Sequence, residues 1–483
     1  MLALVLAARA SANEAAAATA ETLFRRAQER FAQTDLDCRR GALKDLADAS
    51  QLAPERSDIW IAYGRACREC GQSSKARSCL SRAARLSPSD PEVWSDLGAE
   101  WKNDWLATSD RSSLDESLRC YTRATEVAPD SSGPWCAVSA LLLLEGRPRD
   151  ALNAAERARR ADLRGFDPLL VLGASFYRLS VLVYADSAFR MARNRMPVDL
   201  RGRFEDVSAL QAGSPPRDTS GTPADGGSLW EGTDPDLTTA ENEALLDYRT
   251  RLALAFFLFR ERGTLRWDAR TDLFVRFGPP AVITYNPARM GWGNELELTY
   301  SRPRELTHPG ERDYGPGPNG FPFNMQVWDY PELGIRAVLL DRSLTQTYEI
   351  RPSLEENFDP RVAPSALADH PELISIGSGR GVFRALVPGV QPMPVTGALS
   401  RFPVGDSTSL QAHVSASGGP ADSMSGSWAI VAADGTVLRR GKAVLAISAC
   451  DPAQEKVATF DAIVPPGDFR VDLSVAARGG RRG

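Results

Sequence analysis

The chain reads as a multidomain protein: an α-helical repeat solenoid, then a small α+β domain, then an antiparallel β-sandwich. Three observations predict that order. A helix-pair pattern recurs from Trp60 to Pro197 with a period of about 34 residues. A helix-then-strands pattern follows, punctuated by Gly278-Pro279-Pro280. From about Gly381 the text changes to short alternating segments separated by turn signals.

The first full unit reads Trp60, Tyr63, Gly64, Cys67, Gly71, Ala76, Leu80, Ala83 and Pro88. The second has Trp94, Leu97, Gly98 and Trp101, then, after a longer connection, Ser117, Tyr121, Ala124 and Pro129. The third has Trp135, Val138, Ser139, Leu142, Gly146, Ala151, Ala155 and Ala158, without the closing proline. The fourth has Leu169, Leu172, Gly173, Phe176, Ala185, Phe189, Ala192 and Pro197. An incomplete earlier unit is visible in Phe24, Ala27, Phe31, Ala42, Leu46, Ala49 and Pro54. Spacings of i, i+3, i+4 and i+7 place these residues on one stripe of each helix. Gly64, Gly98 and Gly173 predict close approach of the second helix, and proline ends a unit because it cannot continue a helix.

This order, W-x2-L-G-x2-Y followed by A-x3-F, A and P, resembles the tetratricopeptide repeat and assigns residues 20–200 to such an array. The resemblance implies stacked pairs that share one core and curve into a groove lined by the first helix of each pair. The groove positions of the family fall here on Arg65, Arg68, Lys102, Asn103, Tyr177 and Arg178. A mostly basic groove suits a protein or peptide ligand that is acidic or carboxylate-ended; read without the family, the same residues make a solvated helix face. The carboxylate clamp of some relatives is not implied, because Ile61 and Arg65 occupy two of its slots.

The 483 residues are 43% hydrophobic and 25% charged, the composition of soluble globular protein. A net charge of -5 gives no footprint for nucleic acid, and no apolar run is long enough for a transmembrane segment. Residues 1–12 read as a truncated signal segment, since apolar Met1 to Ala8 lead to Ala10-Ser11-Ala12; the alternative is the ragged start of the first helix. Cys67 and Cys70 form C-x-x-C, but Cys67 holds an inward repeat position and reads as a core thiol. No second such pair or nearby histidine completes a zinc site.

Residues 211–228 are dense in Gly, Ser, Pro, Thr and Asp and read as a flexible linker. The α+β domain spans 229–360. Thr238 with Glu241 predicts a capping box opening a helix, whose Leu245, Tyr248, Leu252, Ala255, Phe256 and Phe259 form a face expected against a sheet. Asp234-x-Asp236-x-Thr238 is no calcium loop, because Thr239 and Leu245 stand where Gly and Glu are required. Strands are expected at Leu273 to Phe277, Val282 to Tyr285, Glu295 to Tyr300, Met325 to Tyr330 and Ile335 to Leu340. The order Asp234-Pro235-Asp236, Glu241-Asn242-Glu243, Leu245-Leu246-Asp247-Tyr248, Trp267, Phe274-Val275-Arg276-Phe277 and Gly278-Pro279-Pro280 resembles the bacterial GWxTD domain. The naming motif departs from the family: Arg266 precedes Trp267 where glycine is expected, and Thr271-Asp272 is displaced. The resemblance implies an exported bacterial protein and brings no established chemistry.

Residues 381–483 read as an immunoglobulin-like β-sandwich, with a hairpin turn at Asp434-Gly435 and strict alternation over Phe469 to Val475. The closing Arg478 to Gly483 reads either as a basic tail or as the end of a truncated strand.

Chemistry is sparse. His308, His370 and His413 are scattered, there is neither H-E-x-x-H nor G-x-S-x-G, and Gly435 to Lys442 misses the phosphate-loop spacing. Gly377-Ser378-Gly379-Arg380-Gly381 reads as a connection. No catalytic residue, cofactor or metal site is expected. The function predicted is a noncatalytic protein-interaction scaffold, periplasmic, envelope-associated or secreted, with a peptide or protein segment in the repeat groove. Two rivals stand beside it. One is a carbohydrate-binding or hydrolytic envelope protein with its site around Trp230, Trp267, Trp292 and Trp328, since indoles stack on sugars. The other is a cytoplasmic repeat adaptor, told apart by whether the mature chain begins at Asn13.

Overall fold

The computed structural model describes residues 2–33, 36–207, 230, 234, 236–260, 267–286, 324–330, 335–342, 347–350, 373–375, 382–384, 391–392, 395–416, 424–447, 456–477 and 481–482. The chain divides into two compact units, Met1–Pro168 with Leu254–His370 and Leu169–Ala253 with Pro371–Gly483. That division cuts across the expected boundaries, because the fourth helix pair belongs to the second unit. The linker over 211–228, the strand expected at 295–300, Trp292, His308, His370 and the 377–381 glycine loop lie outside the described residues.

The first unit begins with helices α1 (Leu2–Phe31), α2 (Leu36–Leu52), α3 (Ser57–Glu69), α4 (Ser73–Leu86), α5 (Pro91–Thr108), α6 (Arg111–Val127), α7 (Ser132–Leu144) and α8 (Pro148–Ala161). They pair as the periodicity predicts, and neighbouring pairs share side chains. Ala27, Ala42, Leu46, Tyr63, Cys67, Ala76 and Cys79 form one cluster across the first pairs. Leu80, Ala83, Val93, Leu97 and Cys120 form the next, with Trp60, Trp94 and Trp101 at its margin. The cysteines Cys67, Cys70, Cys79, Cys120 and Cys136 are free thiols, and all but Cys70 are buried.

Each pair is held close by a missing side chain. A Cβ on Gly64 would lie 2.7 Å from Leu80, and one on Gly98 would lie 3.0 Å from the Tyr121 ring. Where serine stands in the third pair, its hydroxyl donates across the gap, Ser139 Oγ to the Ala151 carbonyl at 2.8 Å. Between pairs the indoles make the join. Trp60, Trp94 and Trp135 each donate Nε1 to the carbonyl of the proline that closes the previous unit, Pro54, Pro88 and Pro129, every time at 2.9 Å. Each accepting carbonyl lies in the connection just beyond a helix end and is thereby satisfied.

The turn inside the first, third and fourth full pairs also repeats. Gly71 and Gly146 take left-handed backbone angles, with φ +72° and +71°. The following amides reach back, Gln72 N to Cys67 O at 2.8 Å and Arg147 N to Leu142 O at 2.9 Å, as in a Schellman motif. In the second unit the fourth pair, α9 (Asp167–Arg178) and α10 (Leu182–Arg195), puts Ser180 at that position with φ +60°, and Val181 N still reaches Phe176 O at 2.9 Å. Helix α11 (Val198–Glu205) follows.

Helix α12 (Glu243–Phe259) begins later than the capping box predicts. Asp236 Oδ1 accepts from both the amide and the hydroxyl of Thr238, leaving Asn242 Oδ1 to accept from Leu245 N at 2.8 Å. Helix α13 (Ala269–Phe277) corrects the strand expected at Leu273 to Phe277. Asp268 caps its first turn through Arg270 N, Gly278 ends it at φ +78°, and Leu273, Phe274, Val275 and Phe277 are all buried. A short run that is apolar on both sides cannot be assigned by periodicity.

Strands β1 (Val282–Asn286), β2 (Asn324–Tyr330), β3 (Ile335–Asp341) and β4 (Glu349–Ile350) form an antiparallel sheet in sequence order within the first unit. In the second unit, β5 (Leu373–Ser375) and β6 (Val382–Arg384) pair alone. The remaining strands are β7 (Gln391–Pro392), β8 (Val395–Val404), β9 (Ser407–Ala416), β10 (Met424–Ala432), β11 (Val437–Ile447), β12 (Lys456–Val464), β13 (Phe469–Ala477) and β14 (Arg481–Arg482). They run in the order β7-β14-β13-β10-β11-β12-β9-β8. Strand β11 pairs β10 along most of its length and β12 only at Ala446 and Ile447, so it carries the chain from one sheet face to the other. Ala412, Val414, Met424, Leu445, Phe460 and Val475 pack between the faces. The hairpin predicted at Asp434-Gly435 turns through three residues rather than two, Ala433 to Gly435, closed by Ala432 N to Thr436 O at 2.9 Å with Gly435 at φ +88°.

Gly173 and Ser180 give opposite expectations in the fourth pair. A Cβ on Gly173 would meet the Phe189 ring at 2.8 Å, and overpacking costs about 1–3 kcal/mol against a helix-propensity gain of about 1. Gly173→Ala is therefore expected to lower the thermal midpoint, whereas Ser180→Gly, relieving a left-handed serine worth about 1 kcal/mol, is expected to raise it. Circular dichroism melts of the two variants check both signs.

Candidate functional site

The structure gives four of the six predicted groove residues three different tasks. Arg65 and Arg68 clasp Asp96 on the next repeat, Arg65 Nε at 2.7 Å and Arg68 Nη1 at 3.2 Å, and Arg65 Nη2 also reaches Glu92 at 3.0 Å. Asp96 is fully buried. One turn on, Glu100 is equally buried, with Arg68 Nη1 3.6 Å away, and Arg77 pairs with Asp104 at 2.6 Å. Burial pushes the Glu100 carboxyl up to about 7 against the pull of Arg68 and Arg77. These two arginines thus join repeat to repeat.

Lys102 does something else. Its Nζ donates to the carbonyls of Phe257 at 3.0 Å and Leu258 at 2.9 Å, the last turn of α12. Those carbonyls lack partners within the helix, and a cation there also meets the negative end of the helix dipole. Asn103, beside it, is half-buried, as is Arg178. Tyr177 is wholly buried, which raises its phenol pKa well above the ordinary value; the Asp247 charge of α12 raises it further and that of Arg251 opposes it. Those two form an ion pair of 2.6 Å inside the second unit. The expectation of six side chains presented on a basic groove is corrected here: Tyr177 is core, Arg65 and Arg68 are bound to Asp96, and Lys102 is bound to the chain's own helix.

Helix α12 explains the difference. Along its length only Leu245, Arg249 and Phe257 retain partial exposure. Within the first unit Phe256 meets Phe166 edge-on at 5.9 Å, and Phe259 lies 5.6 Å from Phe274 and 5.9 Å from Trp328. Within the second, Arg249 pairs with Asp186 at 3.1 Å and Tyr248 donates to the Asp206 carbonyl at 3.0 Å. The expected face against a sheet exists at Phe259, but the rest of the helix is buried on its other sides too.

The sequence carries a signal for this. Cys136, Ala140 and Leu143 of α7 and Leu170, Val171 and Ala174 of α9 are all apolar and buried. A helix that is apolar all round belongs in an interior.

The tryptophans of the rival reading are packing residues where they are described. Trp328 is buried and donates Nε1 to Gln326 Oε1 at 3.0 Å, and Gln326 Nε2 in turn donates to the Leu106 carbonyl at 3.3 Å. Trp230 is buried with Tyr248 at 5.0 Å, and half-buried Trp267 lies 6.5 Å from Phe256. Among the described residues no group of His, Cys, Asp and Glu could hold a metal ion, and no helix is long and apolar enough to cross a membrane.

The profile of the Tetratricopeptide Repeats-Sensor family matches residues 1–144. Among solved structures the chain is similar to MamA, at 14% identity over 37% of this chain and 91% of MamA, with a TM-score of 0.32. It is also similar to a thermophilic tetratricopeptide protein of Thermus thermophilus, at 16% identity over 38% of this chain and 93% of that one, TM-score 0.30. For YrrB, described as a tetratricopeptide protein with an unusual peptide-binding site, identity is 15% over 34% and 82%, TM-score 0.30. No curated protein matches the chain. The amino-terminal helices are tetratricopeptide repeats, and the architecture is a helical solenoid with a carboxyl-terminal antiparallel sheet region.

Glu100 makes the stacked array pH-dependent in an unusual direction. Its folded value of about 7 lies above the ordinary 4.5, so between those values the folded chain keeps a proton the unfolded chain has released. Stability from this group is full below about pH 4.5, falls as pH rises toward 7, and is level above. Glu100→Gln is expected to remove that slope and to gain on the parent at pH 8, read as urea midpoints of the helical signal across pH 4–8. Replacing Arg65 and Arg68 together by alanine takes both guanidinium partners from buried Asp96, at a cost of about 3–5 kcal/mol, and the same urea titration is expected to show it.

Proposed function

We propose that this chain is a noncatalytic interaction scaffold, exported or envelope-associated, whose repeat array holds a segment of another protein while the later domains dock elsewhere. The observation that carries the reading is the stack of tetratricopeptide helix pairs from α3 to α8, an architecture that binds through an extended surface. The word sensor in the matching family's description fits a scaffold that reports the presence of a partner.

Export is supported by the apolar start leading to Ala10-Ser11-Ala12, and by the likeness of the middle region to GWxTD domains. The partner is a protein or peptide segment, read as acidic from the basic side chains on the first helices of the array.

Photo-crosslinking in the cells that make the protein tests the reading. A benzoylphenylalanine at Ile61 or Ser95, both partly exposed on the array, is expected to capture a discrete polypeptide, and one at exposed Arg439 of the sandwich is not. Equal capture from all three positions, or none from the array, overturns it.

A further inference from the structure

The first full helix pair holds two sulfurs whose chemistry an interaction scaffold does not use. Cys67 on α3 and Cys79 on α4 are both buried in one core cluster. They meet across the pair, a turn along α3 from the crossing where Gly64 admits Leu80. Their thiols are hydrogen-bonded, the Cys67 S–H donating to the Cys79 sulfur. That bond, helped by Lys75 one turn earlier on α4, holds the Cys79 thiol below its ordinary pKa against the effect of burial. The same bond, with burial, pushes Cys67 up. Lys75 is exposed, and its ammonium lies 5.0 Å from the centre of the Tyr63 ring, which packs in the same cluster. The negative charge of the pair therefore resides on Cys79, and a thiolate is the nucleophilic form of cysteine. Reversible thiol oxidation uses such a set: a reactive sulfur, a nearby cation, and a second sulfur in contact. The third thiol, Cys70, caps α3 and is half-exposed, but a bridge from Cys67 to Cys70 would leave α3 and α4 untied.

We propose that Cys67 and Cys79 are a modification site, oxidised by a hydroperoxide to a disulfide that ties α3 to α4. Cys79 attacks the outer oxygen of the peroxide, the O–O bond breaks, the departing oxygen takes a proton, and Cys79 becomes a sulfenic acid. Cys67 then attacks the Cys79 sulfur, the S–O bond breaks, and the hydroxyl leaves with the Cys67 proton as water. Two thiols thus lose two electrons and two protons, and the hydroperoxide is reduced to an alcohol and water, or to two waters when it is hydrogen peroxide. The oxidant reaches the sulfurs when the turn between α3 and α4 opens locally, and the bridge then prevents that opening. Oxidation stiffens the repeat that carries Arg65 and Arg68, the two residues clasping the next one.

The test exposes the reduced full-length chain to equimolar hydrogen peroxide, blocks the remaining thiols with iodoacetamide and maps tryptic peptides by mass. Trypsin separates the three sulfurs, because Arg65, Arg68, Lys75, Arg77 and Arg82 stand between and around them. A species joining Ala66–Arg68 to Ser78–Arg82, two hydrogens lighter than the two thiol peptides combined, is expected, and dithiothreitol is expected to abolish it. Amide exchange in α3 and α4 of the oxidised chain is expected to slow by about tenfold. Cys67→Ser is expected to stop Cys79 at the sulfenic acid, which dimedone traps, whereas Cys79→Ser is expected to leave Cys67 unreacted. Lys75→Met is expected to slow the oxidation and Lys75→Arg to restore its rate. Circular dichroism verifies the fold of each variant, and the map of the parent needs none. A bridge from Cys67 to Cys70, a bridge between chains, no bridge at all, or a bridge that leaves amide exchange unchanged overturns the proposal.

Discussion

Everything in the array depends on how near two helices of a pair can come. At Gly64 and Gly98 the crossing side chain occupies the space a Cβ would need, and that proximity brings the apolar stripes of both helices into one core. Interiors pack as tightly as organic crystals, so a displacement of an ångström at the crossing would propagate through the stripe. The spacing between pairs is fixed separately, by an indole and a proline carbonyl that recur with one geometry. Tightness within a pair and register between pairs are thus assigned to different residues.

The same economy of space governs the inner surface. In the first two full pairs its positions are polar and the charges are matched between repeats, Asp96 to Arg65 and Arg68. In α7 of the third pair Cys136, Ala140 and Leu143 are apolar and buried. Burying an unpaired charge is far costlier than burying a methyl group, and Lys102 donates to helix-end carbonyls, which need a donor wherever they are buried.

Most of the helical architecture was readable from residue spacing, because bulky and small side chains at i, i+3, i+4 and i+7 leave few alternatives. The Asp434-Gly435 hairpin and the β2–β3 hairpin were readable for a similar reason, alternation bounded by turn residues. Leu273 to Phe277 was not, since a run buried on both sides carries no period, and only Asp268 and Gly278 at its ends distinguish helix from strand. The site was less legible still. Family position put Arg65, Arg68 and Tyr177 on a groove, but whether a position on a first helix faces water depends on what covers it. Tyr177 is sheltered beside Asp247 and Arg251, which lie far downstream in order. The all-round apolar character of α7 and α9 was the available hint, and it concerns neighbours of the candidates instead of the candidates themselves.

The buried thiols give the array a built-in set of clocks. Cys67 and Cys79 belong to the first full pair, Cys120 to the second and Cys136 to the third. A small alkylating reagent can reach each one only when the turn that shelters it parts from its neighbour. Repeat arrays loosen unit by unit rather than all at once, so the order in which these sulfurs are labelled in the unmodified chain would trace where fraying starts and how far it spreads, with no engineered probe.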